Sequence, residues 1–371
     1  MQGPARSSPV ALERLDARAL TIPTDAPEAD GTLGWKATTI VIVEAHAGGL
    51  RGLGFSYASA AAAGVVEQQL AGELRGSDAL SPRRAWQRMR AAVRNIGYPG
   101  IAASAISAVD VALWDLKARL LELPLSTLLG RVHDSVPIYG SGGFTSYEDE
   151  QLERQLGGWA AEGMEAVKMK VGSHPDSDPE RVARARAAIG PDVELFVDAN
   201  GAYERKQALA LAETFRADSG VSWFEEPVSS DDLAGLRLLR DRAPAGMRIA
   251  AGEYGYDLFY FRHMLDAGAV DVLQADATRC GGVTAMLGVA ALCEAHGMLL
   301  SAHTSPTIHA HVCSAIAPLA HVEYFHDHAR IEQMLFEGAP LPAAGRLRPD
   351  PSAPGLGLHL REDVAERCSV R

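Results

Sequence analysis

Asp198, Glu225 and Glu253 each close a strand-like apolar run, in the segments LFVDAN, VSWFEEP and RIAAGE. The three acids stand 27 and 28 residues apart, close to the roughly 25 to 30 residues that one strand-helix unit of a parallel barrel takes. That spacing brings three carboxylates together at the C-terminal mouth of neighbouring strands. Converging carboxylates repel one another unless a cation sits between them. An all-oxygen set suits a hard divalent ion, Mg2+ in the first place, with Mn2+ accepting the same octahedral donors.

Other strand-like runs carry further polar groups at matching places. Lys168 and Lys170 lie in AVKMKVG, Asp276 ends VDVLQAD, His303 ends MLLSAH and Glu323 lies in HVEYF. Residues two apart on a strand share a face, so both lysines look inward. A neighbouring ammonium lowers a lysine pKa, which predicts that Lys170 serves as a base near neutral pH with Lys168 as its electrostatic partner. Asp276 and His303, on adjacent strands, are expected to pair, the carboxylate fixing the imidazole tautomer and raising its basicity. A carbon held between Lys170 and His303 can then exchange a proton on either face. Alternation puts Glu226 opposite Glu225, where a structural role is expected, although spacing alone leaves open which of the two faces the ion. His309, His311, His326 and His328 read as structural histidines, since an HxH metal pair of a hydrolytic barrel belongs on the first strand.

The elements that must position these groups alternate regularly from about residue 136. Eight strand-like pieces, VPIYGS, AVKMKVG, ELFVDAN, VSWFEEP, MRIAAGE, VDVLQAD, MLLSAH and HVEYF, are separated by helical stretches such as DPERVARARAAIG, the pattern of parallel strands with crossover helices. A doubly wound open sheet is the alternative, but YGSGG is only a weak match to its phosphate-binding turn. Before the barrel, ALERLDARALTIP and ATTIVIVEAHAGG read as antiparallel strands, with the loop-like TDAPEADGTLGW between them. Ser81-Pro82 reads as a helix start, and SAISAVDVALWDLKARLLE is apolar at helical spacing until Pro124. The expected division is a capping domain over 1–131, a barrel carrying the active site over 132–339, and a Pro/Gly-rich tail over 340–371 that packs back on the cap.

Composition fits a protein with a large core. The chain has 371 residues, 47% of them hydrophobic and 22% charged, which favours a barrel with a second domain. A formal charge of −12 argues against nucleic acid as a partner. No apolar stretch of about 18 residues is present, and MQGPARSSPV lacks a signal-peptide core, so no membrane association and a cytoplasmic location are expected. Cys280, Cys293, Cys313 and Cys368 show no ligand-like spacing and read as reduced packing thiols.

Taken together, AVDVALWDLKARLLELPLSTLLG, KMKVG, VDANG, FEEP, AGE, QADATRCGGVT, SAHT and HVEYF resemble the enolase superfamily, and within it the mandelate racemase subgroup, over essentially the whole chain. The resemblance implies a (β/α)7β TIM-like barrel with an α+β capping domain, and a homo-oligomer. It implies Asp198, Glu225 and Glu253 as Mg2+ ligands, Lys170 as the first base and Asp276 with His303 as the dyad at the opposite face. Lys168 matches the accompanying lysine, Glu323 the acid that hydrogen-bonds the substrate carboxylate, and Asn200 a position that lines the site. A proton next to a carboxylate is too weakly acidic for a side-chain base alone, but a divalent ion and nearby donors stabilise the enediolate that its loss creates. The expected reaction, by analogy with relatives, is dehydration of a small-molecule sugar acid to a 2-keto-3-deoxy acid, with His303 helping a β-hydroxyl to leave. Racemisation or epimerisation of a 2-hydroxy or related acid would use the same residues. A non-catalytic metal-binding relative is disfavoured because no member of the constellation is missing.

Substrate size is expected to be set by two cap segments, Thr24 to Trp35 and Gly54 to Tyr57, closing over the mouth. The first holds Asp25, Glu28 and Asp30 with little basic charge except the following Lys36, which favours a monocarboxylate, since a second carboxylate would need a basic partner. Phe55 and Tyr57 are candidates for an apolar wall.

Overall fold

The computed structural model describes residues 9–369, so the first eight residues of the leader MQGPARSSPV lie outside the described residues. The cap begins with an antiparallel meander of β1 (Arg14–Ala29), β2 (Gly34–Ala47) and β3 (Leu50–Tyr57). Helix Ile101–Leu120 lies across this sheet and is buried along most of its length. Its alanines and serines let the backbones come close. A Cβ added at Gly54 would meet Ala108 O at 2.2 Å, and one at Gly52 would meet Ala112 O at 2.3 Å. Helix Pro82–Ala92 starts with Pro82 as its first residue; Ser81 gives its hydroxyl to Asp78 Oδ2 at 2.9 Å instead of capping the helix.

TDAPEADGTLGW is not a loop. β1 continues to Ala29 and β2 begins at Gly34, with an irregularity in register between Pro23 and Glu28. The connecting turn is held by Asp30, whose Oδ1 accepts from Thr32 N at 2.6 Å and Leu33 N at 2.7 Å. The hairpin tip leans on the barrel mouth: Ser146 Oγ donates to Pro27 O at 2.6 Å, Thr145 Oγ1 to Asp30 O at 2.8 Å, and Ser173 Oγ to Asp30 O at 2.7 Å. These bonds supply the order that local composition withholds, so the hairpin is a lid docked shut.

Among the described residues the barrel has eight parallel strands: β4 (Val136–Gly142), β5 (Ala166–Lys170), β6 (Glu194–Asp198), β7 (Trp223–Glu225), β8 (Arg248–Ala251), β9 (Val272–Ala275), β10 (Leu299–Ala302) and β11 (Leu319–Phe325). Each pairs with the next, and β11 returns to β4 with Val322 opposite Ile138. Closure excludes the doubly wound sheet. Every crossover carries a helix, and the helix after β11, His326–Leu335, runs on toward the cap, where Tyr57 stacks on His328. The floor of the barrel is filled by Tyr139, Phe196, Trp223, Ala250 and Val272, so it is packed rather than open. YGSGG forms the end of β4 and its turn; the Gly143 amide is already given to Gln155 Oε1 at 2.7 Å, which leaves no phosphate cradle there.

The tail first adds Arg346–Leu347 antiparallel to β4 and then reaches the cap. There, buried Asp115 accepts from Leu53 N at 2.7 Å, Leu356 N at 2.6 Å and Arg119 Nε at 2.7 Å. Among the described residues no helix is long and apolar enough to cross a membrane, and the four cysteines are free, with only Cys368 incompletely buried.

Candidate active site

Asp198 and Glu225 are the last residues of β6 and β7, and Glu253 follows β8 by two residues. Their carboxylates converge with one oxygen from each lying within 4.8 Å of the others. All three side chains are buried, and Glu253 Oε2 has no hydrogen-bond partner. Glu226 is not part of this set: its backbone turns at φ 38° directly after the strand and its side chain lies in a neighbouring cavity beside Tyr260. A buried triad of carboxylate oxygens with an unpartnered member is the donor set of a hard divalent cation, so the residues present fit Mg2+.

Two lysines from β5 reach into the same space. Lys168 Nζ bonds Glu225 Oε1, lies 2.8 Å from Glu323 Oε1 and 3.3 Å from Asp198 Oδ2. Lys170 Nζ donates to Asp198 Oδ2 at 2.5 Å and to Asn200 Oδ1 at 3.0 Å. Burial alone would raise the Asp198 pKa, but the two ammonium groups outweigh it and bring it down to about 2. Burial and then the Asp198 charge push Glu225 well above the usual carboxylate range. The expected lowering of Lys170 is overturned in the metal-free site. Burial and Lys168 do act in that direction, but Asp198 in direct contact overcomes them and raises the ammonium pKa.

On the other flank, His303 Nδ1 lies 2.9 Å from Asp276 Oδ2. Asp276 Oδ1 accepts from Thr278 N and Thr278 Oγ1, both at 2.7 Å. Despite its burial, the hydrogen bond and charge of His303 hold Asp276 well below the usual carboxylate range. This arrangement fixes the proton on His303 Nδ1 and points Nε2 toward Glu253 Oε2, 3.3 Å away. His309 is a buried support: its ring receives the Ala277 amide at 3.0 Å and meets Thr304 O at 2.7 Å. Glu323 accepts from Ser141 Oγ at 2.6 Å and Thr304 N at 3.0 Å. Burial works against its ionisation, but Lys168 holds its pKa well below the usual range.

A cavity of about 460 Å³ opens above these groups, lined on the barrel side by Lys170, Asn200, Glu253, Arg279, His303 and Glu323. Tyr57 lines it from the cap, whereas Phe55 does not reach it. The two share a face of β3, but Phe55 lies deeper and is stacked on Phe336 with ring centroids 5.1 Å apart. Of the lid acids only Asp30 borders the cavity; Asp25 is turned to His326 at 2.9 Å, and Glu28 accepts from Trp35 Nε1 at 2.7 Å. Sequence reasoning missed Arg279, which lies 3.5 Å from Glu253 Oε1 and 3.6 Å from Asp276 Oδ2. It missed His328 and Tyr254 as well. The signal available for Arg279 was its place three residues after Asp276, one turn beyond the strand.

A closed parallel barrel with carboxylates, lysines and a His-Asp pair at one mouth, covered by an α+β cap, defines a class of metal-assisted carbon-acid enzymes. The chain belongs to the enolase superfamily, in its mandelate racemase subgroup: residues 151–364 match the enolase C-terminal domain-like family and residues 21–130 the mandelate racemase / muconate lactonizing enzyme N-terminal domain. It is 34% identical over 370 residues to 3,6-anhydro-alpha-L-galactonate cycloisomerase of Streptomyces coelicolor, covering 97% of this chain and 99% of that one. A mandelate racemase/muconate lactonizing enzyme-like protein from Rubrobacter xylanophilus superimposes with a TM-score of 0.96 at 57% identity, over 97% of this chain and 100% of that one. L-talarate/galactarate dehydratase from Salmonella typhimurium LT2, solved with Mg and L-lyxarohydroxamate, gives a TM-score of 0.90 at 27% identity, over 100% of this chain and 96% of that one. Its relatives are thus sugar-acid dehydratases and cycloisomerases, and magnesium is bound in structures of this fold.

Proposed function

We propose that this protein removes the proton alpha to the carboxylate of a sugar monoacid and expels a β-hydroxyl, giving a 2-keto-3-deoxy acid. The observation that carries this reading is that Lys170 on β5 and His303 after β10 line one cavity with Glu253, whose carboxylate converges with those of Asp198 and Glu225 beneath it. A divalent ion held by Asp198, Glu225 and Glu253 would supply positive charge to the substrate carboxylate and to the charge that gathers there as the α-proton leaves. Lys170 Nζ, as the free amine it would become once Asp198 is committed to the ion, takes that proton, with Asn200 holding it in place. His303, as an imidazolium held at Nδ1 by Asp276, delivers its Nε2 proton to the departing β-oxygen, which leaves as water; the resulting enol ketonises to the 2-keto-3-deoxy acid. Glu323 is anchored by Ser141 and the Thr304 amide to receive a substrate hydrogen bond beside His303.

The cap side of the cavity supports a neutral polyol tail. It is lined by Thr38, Thr39, Tyr57 and Ser59 with Trp35 and Asp30, and by no lysine or arginine. Arg279 is a barrel residue and is already opposed by Glu253 and Asp276. A second reading draws on the similarity to an anhydro sugar-acid cycloisomerase: a ring ether oxygen at the β-carbon would leave by the same route. The test is a screen of the Mg2+-loaded protein against sugar monoacids, diacids and anhydro acids, reading 2-keto acids and solvent deuterium at the α-carbon by NMR. Keto acid from a linear monoacid is the expected result. Exchange without keto acid would replace the assignment with a racemase or epimerase, keto acid only from anhydro acids would favour ring opening, and preferential turnover of diacids would overturn the monoacid reading.

A further inference from the structure

Away from the cavity, Asp25, Glu28 and His326 each offer one ligand atom, and the three atoms lie within 4.8 Å of one another. Asp25 is exposed on the lid hairpin, Glu28 is 1% exposed, and His326 is half-buried at the start of the helix that follows β11. The visible contacts satisfy only part of this group. His326 Nε2 lies 2.9 Å from Asp25 Oδ2, and Glu28 Oε2 accepts from Trp35. Glu28 Oε1 is buried with no hydrogen-bond partner, which is costly for a carboxylate unless a proton or a cation sits on it. The nearby charges do not supply that cation. Burial first, and then Asp327, push the Glu28 pKa up to about 8, while Arg330 is taken up by Asp327 at 2.5 Å and Pro23 O at 2.7 Å.

We propose that Asp25, Glu28 and His326 form a second divalent-metal site, for a transition ion such as Zn2+, Co2+ or Mn2+. One imidazole and two carboxylates suit such ions, in contrast to the oxygen-only triad in the barrel. The site spans the two parts of the molecule that frame the cavity. Asp25 and Glu28 belong to β1 of the lid, His326 follows Phe325 of β11, and both Phe325 and Trp35, the donor to Glu28, line the cavity. An ion here pins the lid hairpin to the barrel and holds the cavity closed. The site is independent of the reaction proposed above.

Equilibrium dialysis of the chelator-treated full-length protein against Co2+, read as ions per chain, tests this directly. The wild-type chain is expected to take up two ions. Asp25→Asn and His326→Gln, which change side chains outside the core, are expected to take up one. Asp198→Asn combined with Glu253→Gln is expected to keep one, at the lid. In parallel, Co2+ is expected to slow backbone hydrogen exchange of residues 24–35 in the wild type and in the barrel variant but not in His326→Gln. A single ion in the wild type, or two in His326→Gln, would overturn the site; slowed exchange that survives His326→Gln would overturn the clamp.

Discussion

Asp276→Asn separates the tautomer from the geometry. The replaced side chain has a preferred orientation, because Thr278 N–H and Thr278 Oγ1–H both donate to Oδ1 at 2.7 Å, closer than the 3.4 Å of Thr304 Oγ1 and the 3.6 Å of Arg279 Nε at Oδ2; an amide nitrogen at the Oδ1 position would set donors against the two shortest donors. The Nδ2 group must therefore occupy the Oδ2 position, 2.9 Å from His303 Nδ1. Two donors cannot share that contact, so His303 is driven to carry its proton on Nε2, where it faces Glu253 Oε2 at 3.3 Å. His303 can then no longer accept a proton from the cavity, and it loses the carboxylate that stabilises its imidazolium. The same exchange in a Ser-His-Asp triad costs about 10⁴ in rate, which corresponds to roughly 5 kcal/mol in the barrier. The tautomer itself is visible without any substrate: ¹⁵N spectra of the histidine ring are expected to show the proton on Nδ1 in the wild type and on Nε2 in the variant. With a substrate in hand, α-proton exchange on the His303 face is expected to fall about 10⁴-fold, while exchange on the Lys170 face stays within about threefold. A variant that keeps the Nδ1 proton, or one that loses both faces equally, would refute the argument.

Lys170→Ala should abolish deuterium exchange at the α-carbon from one face and His303→Asn from the other, or block elimination; unchanged exchange in both would remove the two-base assignment. Glu332 accepts from Thr307 N at 2.9 Å, and burial lifts its pKa from 4.5 to about 7. A carboxyl raised on folding favours the native state below pH 4.5 and loses that contribution as pH climbs through 7. The group's share is on the order of 3 kcal/mol, so urea midpoints at pH 5 and pH 8 should lie closer together in Glu332→Gln than in the wild type. Gly54→Ala should cost about 3 kcal/mol or prevent folding, because the new methyl group would meet the backbone of the covering helix, Ala108 O at 2.2 Å and Ala112 N at 2.4 Å; thermal unfolding checks this, and a wild-type midpoint would contradict the packing described.

What the sequence discloses here follows from what has a period. Parallel strands end at one mouth, so Asp198, Glu225 and Glu253 could be brought together from their spacing, and Asp276 could be paired with His303 because β9 and β10 are neighbours. The lid had no such signal. Its Pro, Asp and Gly residues have loop character, and only the donors Thr145, Ser146 and Ser173 from the barrel make it a hairpin, so tertiary contacts override local preference. Phe55 and Tyr57 stood as equal candidates for an apolar wall, and depth decides that Tyr57 meets the cavity while Phe55 packs on Phe336. Arg279 lies beyond its strand, where its direction is set by Glu253 and by the Tyr254 ring, 5.5 Å from the guanidinium. In the metal-free site the sign of the Lys170 shift differs from expectation because Lys168, two residues away on the same strand, is outweighed by Asp198, the residue paired with Lys170 on the neighbouring strand β6.

The charge balance at the mouth sets an order of events. With all five ionised, as cation binding would leave them, the carboxylates of Asp198, Glu225, Glu253, Asp276 and Glu323 are opposed by the fixed cations Lys168, Lys170 and Arg279. Two negative charges remain uncompensated among these groups, whose burial limits screening. Such a cavity turns an anionic sugar away until a doubly charged cation has neutralised it. Turnover should therefore be ordered, cation first and acid second, and a saturating acid should in turn slow the escape of the cation.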